Sequence, residues 1–223
     1  IRRQRQMCIR DRIWAENVHF DVCTQNILCT QNILEKGVDS VFVGGVVANI
    51  FLIASGIDIG KPSTNFIVEH IPDYKKVIEK AKHLINNYNE KIAIPTDVAL
   101  NENGLRRGIS VSELPTEYPV YDIGLDTLVR YIGIIEKAGT IFSYGPMGVF
   151  EDNAYSNGTR LIAKNLSTLA EDGVSVIAGG GDTSSALKHL DLIEKFTHVS
   201  TGGGSSLELM SGKNLMALER LKV

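Results

Sequence analysis

The sequence predicts an α/β fold of the Rossmann-like, three-layer kind, a mainly parallel sheet flanked by helices on both faces. Three observations carry this. From Asp39 onward, short apolar or β-branched runs alternate with stretches of helical apolar spacing, and parallel neighbours need such crossover connections. Five of the runs end, at their carboxyl side, in glycine or proline turns: Gly44-Gly45, Pro95-Thr96-Asp97, Gly145-Pro146, Gly179-Gly180-Gly181 and Gly202-Gly203-Gly204. The 223 residues, 43% hydrophobic and 22% charged, suffice to bury a core as one α/β domain or two small ones.

The first 35 residues fit this scheme least. Arg2, Arg3, Arg5, Arg10 and Arg12 stand among residues with no core pattern. Cys23-Thr24-Gln25-Asn26-Ile27-Leu28 is then repeated at once as Cys29 to Leu34, a copy too short for a solenoid unit. The chain opens on Ile1 rather than Met. The expectation is a piece of a longer protein in which residues 1–35 are unreliable or non-native and residues 36–223 form the folded domain.

Beyond this segment the elements are individually readable. Ser40 to Val43 reads as a strand closed by Gly44-Gly45, and Val46 to Ser55 as a helix ended by Gly56. Pro72 opens a helix through about Asn87, with Val77, Ala81, Leu84 and Ile85 on one face. Ile92 to Ile94 reads as a buried strand. Residues 101–119 are polar, hold Gly104, Gly108 and Pro115, and read as loops and edge strands away from the core. Val120 to Gly124 leads into a helix at 125–138 that Gly139 stops. Thr140 to Ser143 is a strand, 157–171 a helix, Val174 to Ile177 a strand, and Ser185 to His189 a helix. Thr197 to Ser200 is the last strand, followed by short helices at 205–211 and 214–221.

Composition narrows the function classes. A net charge of −3 supplies no polycationic surface for nucleic acid. No apolar run approaches the roughly 20 residues of a membrane span. Cys8, Cys23 and Cys29 have no metal spacing and cannot all pair with one another, which suits reduced thiols in the cytoplasm.

The punctuation carries the functional signal. In an open α/β sheet the carboxyl ends of the strands form the crevice where ligands bind. The run Ala178-Gly179-Gly180-Gly181-Asp182-Thr183-Ser184 would let a polyanion approach backbone N–H groups at a positive helix N-terminus. Asp182 beside phosphates makes sense with a divalent cation such as Mg²⁺ between them. The plainer alternative is a helix N-cap, where Asp and Thr are common. Two familiar phosphate motifs are absent. Gly60-Lys61 is followed by Pro62 and Gly212-Lys213 by Asn214, so neither is a P-loop, and no G-x-G-x-x-G follows the first strand. A Rossmann-like oxidoreductase domain therefore lacks its fingerprint.

Three longer segments share a family pattern: Gly145-Pro146-Met147-Gly148-Val149-Phe150-Glu151, Gly179-Gly180-Gly181-Asp182-Thr183, and His198-Val199-Ser200-Thr201-Gly202-Gly203-Gly204-Ser205-Ser206-Leu207-Glu208-Leu209. In content, order and spacing they resemble the C-terminal domain of phosphoglycerate kinase. Gly44 to Leu52, with Gly56 to Gly60 after it, is similar to the archaeal branch of that family, and the resemblance spans about residues 33–221. It implies a monomeric glycolytic kinase that moves a phosphoryl group between 1,3-bisphosphoglycerate and ADP, giving 3-phosphoglycerate and ATP. The domain resembled binds Mg-ADP or Mg-ATP, and a basic N-terminal domain binds 3-phosphoglycerate.

Carried over residue by residue, the resemblance implies that Asp182 engages the metal while Gly179, Gly180, Gly181 and Thr183 face the nucleotide phosphates. Gly181, Asp182, Gly203 and Gly204 would surround the transfer site. Glu151 would hold ribose hydroxyls, and Gly44, Gly45, Tyr121, Pro146 and Val149 would wall the adenine slot. Tyr144 stands where the family commonly has Asn, and Val46 replaces a third glycine. A Gly-Ala-Lys segment is not recognisable between residues 13 and 36, and the substrate domain is missing. The expectation is a chain that binds Mg-nucleotide weakly and does not transfer phosphoryl by itself. A non-catalytic nucleotide-sensing module is the alternative.

Overall fold

The computed structural model describes residues 20–200 together with Gly202, Ser205, Leu209 and Gly212; for residues 20–26 and 28 only the backbone course is described. The Arg-rich start lies outside the described residues, as do Gly203, Gly204 and most of the two last expected helices. The chain order is α1 (Phe20–Glu35), β1 (Val41–Phe42), α2 (Gly45–Ala54), α3 (Lys61–His70), α4 (Tyr74–Tyr88), β2 (Ile92–Ala93), β3 (Asp97–Glu102) and β4 (Leu105–Ser110). There follow β5 (Val120–Ile123), α5 (Leu125–Ile135), β6 (Thr140–Tyr144), α6 (Asn157–Glu171), β7 (Ser175–Gly179), α7 (Gly181–His189) and β8 (His198–Ser200).

Five of the eight strands pair in parallel, as the alternation predicts. β1 runs beside β2, and β7 is flanked by β6 and β8. The other three form an antiparallel sheet in the order β4-β3-β5. Residues 101–119, read as loops and edge strands away from the core, hold the edge strand β4, and Ile109 alone among them is fully buried. The β3–β4 hairpin turns at Asn103-Gly104, both with positive φ, and the core side of the hairpin is supplied by Val98, Ala99 and Leu100 of β3 together with Ile109. β4 otherwise faces outward, with Leu105, Arg107 and Gly108 exposed.

Two apolar clusters organise the molecule. One gathers Ile27 and Leu34 of α1, Ile50, Phe51 and Leu52 of α2, Ile67 of α3, and Val77, Ala81 and Leu84 of α4. α2 reads Gly-Val-Val-Ala-Asn-Ile-Phe-Leu-Ile-Ala and is buried on nearly every side, as an almost uniformly apolar helix must be. The second cluster joins Leu128, Tyr131 and Ile135 of α5, Ile162 and Leu166 of α6, Val176 and Ala178 of β7, and Leu187 of α7. Phe42 and Ala93 pack on this second cluster, so β1 and β2 lie between the two. The buried Tyr131 hydroxyl, 3.0 Å from the carbonyl of Val43 and 2.7 Å from that of Ala93, ties α5 to the ends of β1 and β2. Burial pushes the Tyr131 phenol well above its ordinary range.

Three helices depart from the sequence reading. α3 was not expected: it is polar, buries only Ser63 and Ile67, and so shows no apolar stripe. α1 occupies the duplicated segment, with Ile27 and Leu34, seven residues apart, both in the first cluster. α7 begins at Gly181 rather than Ser185, which places Asp182 and Thr183 inside its first turn. Lys137, Lys164, Lys188 and Lys195 are exposed, as is His198 of β8. Among the described residues no helix is long and apolar enough to cross a membrane.

Candidate functional site

The carboxyl ends of β6, β7 and β8 converge on the N-terminus of α7. β7 ends at Gly179, and Gly180 turns the chain with φ 99° and ψ 151°, a conformation that L side chains rarely adopt. The Gly180 N–H is donated to the Ser200 carbonyl of β8 at 3.2 Å. Gly181 is exposed, and among the described residues its N–H has no hydrogen-bond partner. The N-cap residue, Gly180, has no side chain with which to cap the turn. Its first turn therefore presents backbone donors and the positive end of the dipole to whatever anion approaches, with the part-exposed Asp182 among them.

The segment 145–151 is the hub that joins the expected site residues. The Gly145 N–H donates to Thr183 Oγ1 at 2.7 Å, so the lone pair of that buried hydroxyl holds the hub while its proton remains to be donated. The Gly45 N–H donates to the Met147 carbonyl at 2.7 Å, and a methyl group on Gly44 would stand 2.8 Å from the Met147 Cα. The Met147 N–H donates to Thr159 Oγ1 at 3.0 Å, and the Val149 N–H to the Tyr121 carbonyl at 2.8 Å. Gly44, Gly45, Tyr121, Pro146 and Val149 thus lie along one edge, with Gly179, Gly180, Gly181, Asp182 and Thr183 at its other end. Glu151 follows the hub and is exposed. Gly203 and Gly204 lie outside the described residues.

Tyr144 lies across the turn between the two ends. A methyl group on Gly179 would stand 3.3 Å from its Cδ2, and one on Gly180 would stand 3.1 Å from its Cε2 and Cζ. Close approach of this ring is one reason both positions need glycine. Burial, then the nearby Asp182 carboxylate and Cys29, push the Tyr144 phenol up. The ring stacks on Phe142, with centroids 6.4 Å apart.

Several residues at this edge carried no sequence signal. Asp122, at the end of β5, has a fully buried side chain; its Oδ2 receives the Arg106 guanidinium at 2.8 Å and the Gly158 N–H at 2.9 Å, and its Oδ1 the Ile123 N–H at 2.9 Å. Arg106 also donates to the Ile123 carbonyl at 3.0 Å. Burial pushes the Asp122 carboxyl up, opposed by Gly158 and Arg106. Since Gly148 and Gly158 pack directly on Asp122, the pair fixes the hub from behind. An Arg beside a strand Asp is an unremarkable pattern until the hairpin folds back on β5.

Asp97 marks the opposite outcome at a rim turn. Its carboxylate accepts the Asp126 N–H at 3.0 Å and the Thr127 N–H at 2.7 Å, capping α5 from outside. Thr127 Oγ1 in turn accepts the N–H groups of Thr96 and Asp97. The turn Pro95-Thr96-Asp97 is thus satisfied within the fold.

Metal binding was tested against the donors present. Among the described residues no group of three or more His, Cys, Asp or Glu is clustered to hold an ion. Mg²⁺ carried by a nucleotide takes one or two carboxylates from protein and the rest from phosphate and water. Asp182 in the first turn of α7 fits that requirement.

Comparison with known proteins agrees with this layout. The family model described as phosphoglycerate kinase matches residues 23–213. A phosphoglycerate kinase from Thermoplasma volcanium is 44% identical over 198 residues, 88% of this chain and 48% of that protein. One from Methanothermus fervidus is 38% identical over 198 residues, 88% of this chain and 47% of that protein. The crystal structure of a phosphoglycerate kinase from Pyrococcus horikoshii superposes with a TM-score of 0.80 at 28% identity, covering 92% of this chain and 50% of that one. The chain spans about half the length of the curated relatives it matches.

Proposed function

The chain belongs to the phosphoglycerate kinase family, and on that premise we propose that it supplies the Mg-ADP/ATP half of a phosphotransferase. The reaction is reversible transfer between 1,3-bisphosphoglycerate and ADP, giving 3-phosphoglycerate and ATP. The observation that carries this reading is the uncapped N-terminus of α7, with Asp182 in its first turn, at the carboxyl ends of β6–β8. Residues 36–223 form the nucleotide-binding domain in this reading, and the acceptor is held by a basic domain outside the sequence given. A cytoplasmic setting goes with this reading, and the working form is a monomer.

Phosphoryl transfer depends mainly on positioning and on stabilising charge over the moving oxygens. The α7 terminus does the first: Gly181 and the residues after it point backbone N–H groups at the phosphates. Gly203 and Gly204, outside the described residues, are assigned to the transfer site in this reading on the family resemblance alone. Glu151 holds ribose hydroxyls at the far side of the hub. Gly44, Gly45, Tyr121, Pro146 and Val149 wall the base. Asp182 would hold Mg²⁺, which would supply charge neutralisation to the phosphates.

Calorimetric titration with Mg-ADP tests the binding half. The full chain gives a binding isotherm, and Asp182→Ala weakens it at least tenfold. No heat from the parent chain, or unchanged affinity in the variant, would sink the reading. A coupled assay with 3-phosphoglycerate and Mg-ATP is expected to show no turnover by this chain alone; robust turnover would show that the acceptor site lies within it.

A further inference from the structure

We infer that Asn49 is a specificity-determining residue of the nucleotide site, its carboxamide reading the 6-amino edge of the base. The inference rests on the nucleotide reading above and goes beyond it in naming the group that selects adenine. Asn49 is 7% exposed in the middle of α2, flanked by the buried Ala48, Ile50, Phe51 and Leu52. The other buried Ser, Thr and Asp side chains all make hydrogen bonds. Ser63 and Thr159 accept backbone N–H groups, Thr183 accepts from Gly145, Ser167 donates to a carbonyl, and Thr127 and Asp122 are fully engaged. Among the described residues, Asn49 alone of this buried set has no side-chain hydrogen bond. Its amide atoms are not sealed from water as Tyr155 Oη and Asn165 Oδ1 are, so the carboxamide of this largely buried residue opens into a cleft with its donors and acceptor available to a ligand.

The surroundings name the ligand's chemistry. Asn49 lines a cleft with Gly45, Pro95, Val98, Tyr121 and Asp122, between the start of α2 and strands β3 and β5. Gly45 and Tyr121 are two of the residues along the hub. Gly45, Pro95, Val98 and Tyr121 present apolar or flat surface, which suits a planar ring rather than phosphate or ribose. The Asp122 oxygens are committed to Arg106, Gly158 and Ile123, which leaves Asn49 as the cleft's uncommitted side chain with donor and acceptor side by side. Asn49 follows Gly45 by one helical turn and shares its face. A carboxamide offers one acceptor and two donors side by side, and adenine offers an amino donor beside a ring-nitrogen acceptor; the two match as a bidentate pair.

The test compares Mg-ADP with the Mg²⁺ complex of purine riboside diphosphate, which lacks only the 6-amino group. The full chain is expected to bind ADP about fivefold more tightly or better, the worth of one net hydrogen bond. Asn49→Leu, close to isosteric, is expected to bind the two nucleotides equally, with ADP weakened to the level of its analogue. Asn49→Ala serves as the second variant and is expected to behave alike. A parent chain that binds ADP while either folded variant keeps the parent's preference overturns the inference and leaves the nucleotide reading standing. A parent that binds neither nucleotide overturns both. Failure of both variants to fold would place the carboxamide in the fold rather than in recognition and would overturn it as well.

Discussion

Two of the helices that start from strand ends, α5 and α7, each carry an aspartate two residues past a glycine cap, yet one terminus is closed and the other open. At α5 the acid comes from outside: Asp97 of β3 reaches the N–H groups of Asp126 and Thr127, and Gly124 is tucked so tightly below it that a methyl group there would strike the carboxylate. At α7 the acid is Asp182, two residues past the Gly180 cap just as Asp126 lies two past Gly124, and among the described residues the Gly181 N–H has no partner. A carboxylate inside the first turn interacts with the dipole but does not close the donors that face forward. The same residue type therefore finishes one helix and leaves the other ready for an anion and its cation.

The comparison is supported from behind by the Arg106–Asp122 pair, and removing it should have the largest effect. Arg106→Met leaves a fully buried carboxylate without its cation, which costs about 3 kcal/mol or more at neutral pH. The Asp122 carboxyl is already raised in the fold, so its contribution to stability is full below the ordinary Asp value near 3.8 and is lost as pH rises through the raised value. Without Arg106 the carboxyl rises further. Urea denaturation should show the deficit relative to the parent shrinking as pH falls from 7 toward 4. A deficit that is constant with pH would show that Arg106 stabilises by packing alone.

Asp97→Ala should have the next largest effect, and on stability only. Loss of an N-cap costs about 1 kcal/mol, here with two backbone donors left to water. Denaturation midpoints read the loss, and Mg-ADP affinity should stay within about twofold of the parent. A tenfold drop in affinity would mean that the closed terminus also serves the ligand.

The smallest effect sharpens the open terminus. Because the Asp182 carboxylate helps to hold the Tyr144 phenol up, Asp182→Ala should let Tyr144 ionise at lower pH. Absorbance titration, with Tyr144→Phe identifying the signal, measures it. An unchanged titration would place Asp182 away from the phenol.

The parallel strands, α2, α6 and the four glycine or proline turns that lie within the described residues were legible because periodicity and punctuation are local. So was the cluster Gly145 to Val149 with Gly179 to Thr183. What was not legible depends on partners distant in sequence. Asp97 and Thr127 are 30 residues apart, Arg106 and Asp122 are joined only by the folding of a hairpin, and Gly145 meets Thr183 across 38 residues. The turn at Pro95-Thr96-Asp97 looked like the other rim turns, and only the position of α5 turns its acid into a cap. Tyr144 was visible as a departure from the family's Asn, but its place over Gly179 and Gly180 required the pleat of β6 beside β7. Asn49 was hidden in an apolar helix, where one amide leaves no periodic trace.

The central claim is that α7 is open for an Mg-nucleotide while α5 is closed by Asp97. Ligand-induced shift of the melting temperature, measured with saturating Mg-ADP on the parent chain, Asp97→Ala and Asp182→Ala, tests it most directly, since binding to the folded state alone raises the transition. The account predicts a lower starting transition but a full shift for Asp97→Ala, and an unaltered start with little or no shift for Asp182→Ala. A full shift in Asp182→Ala, or its loss in Asp97→Ala, would contradict it.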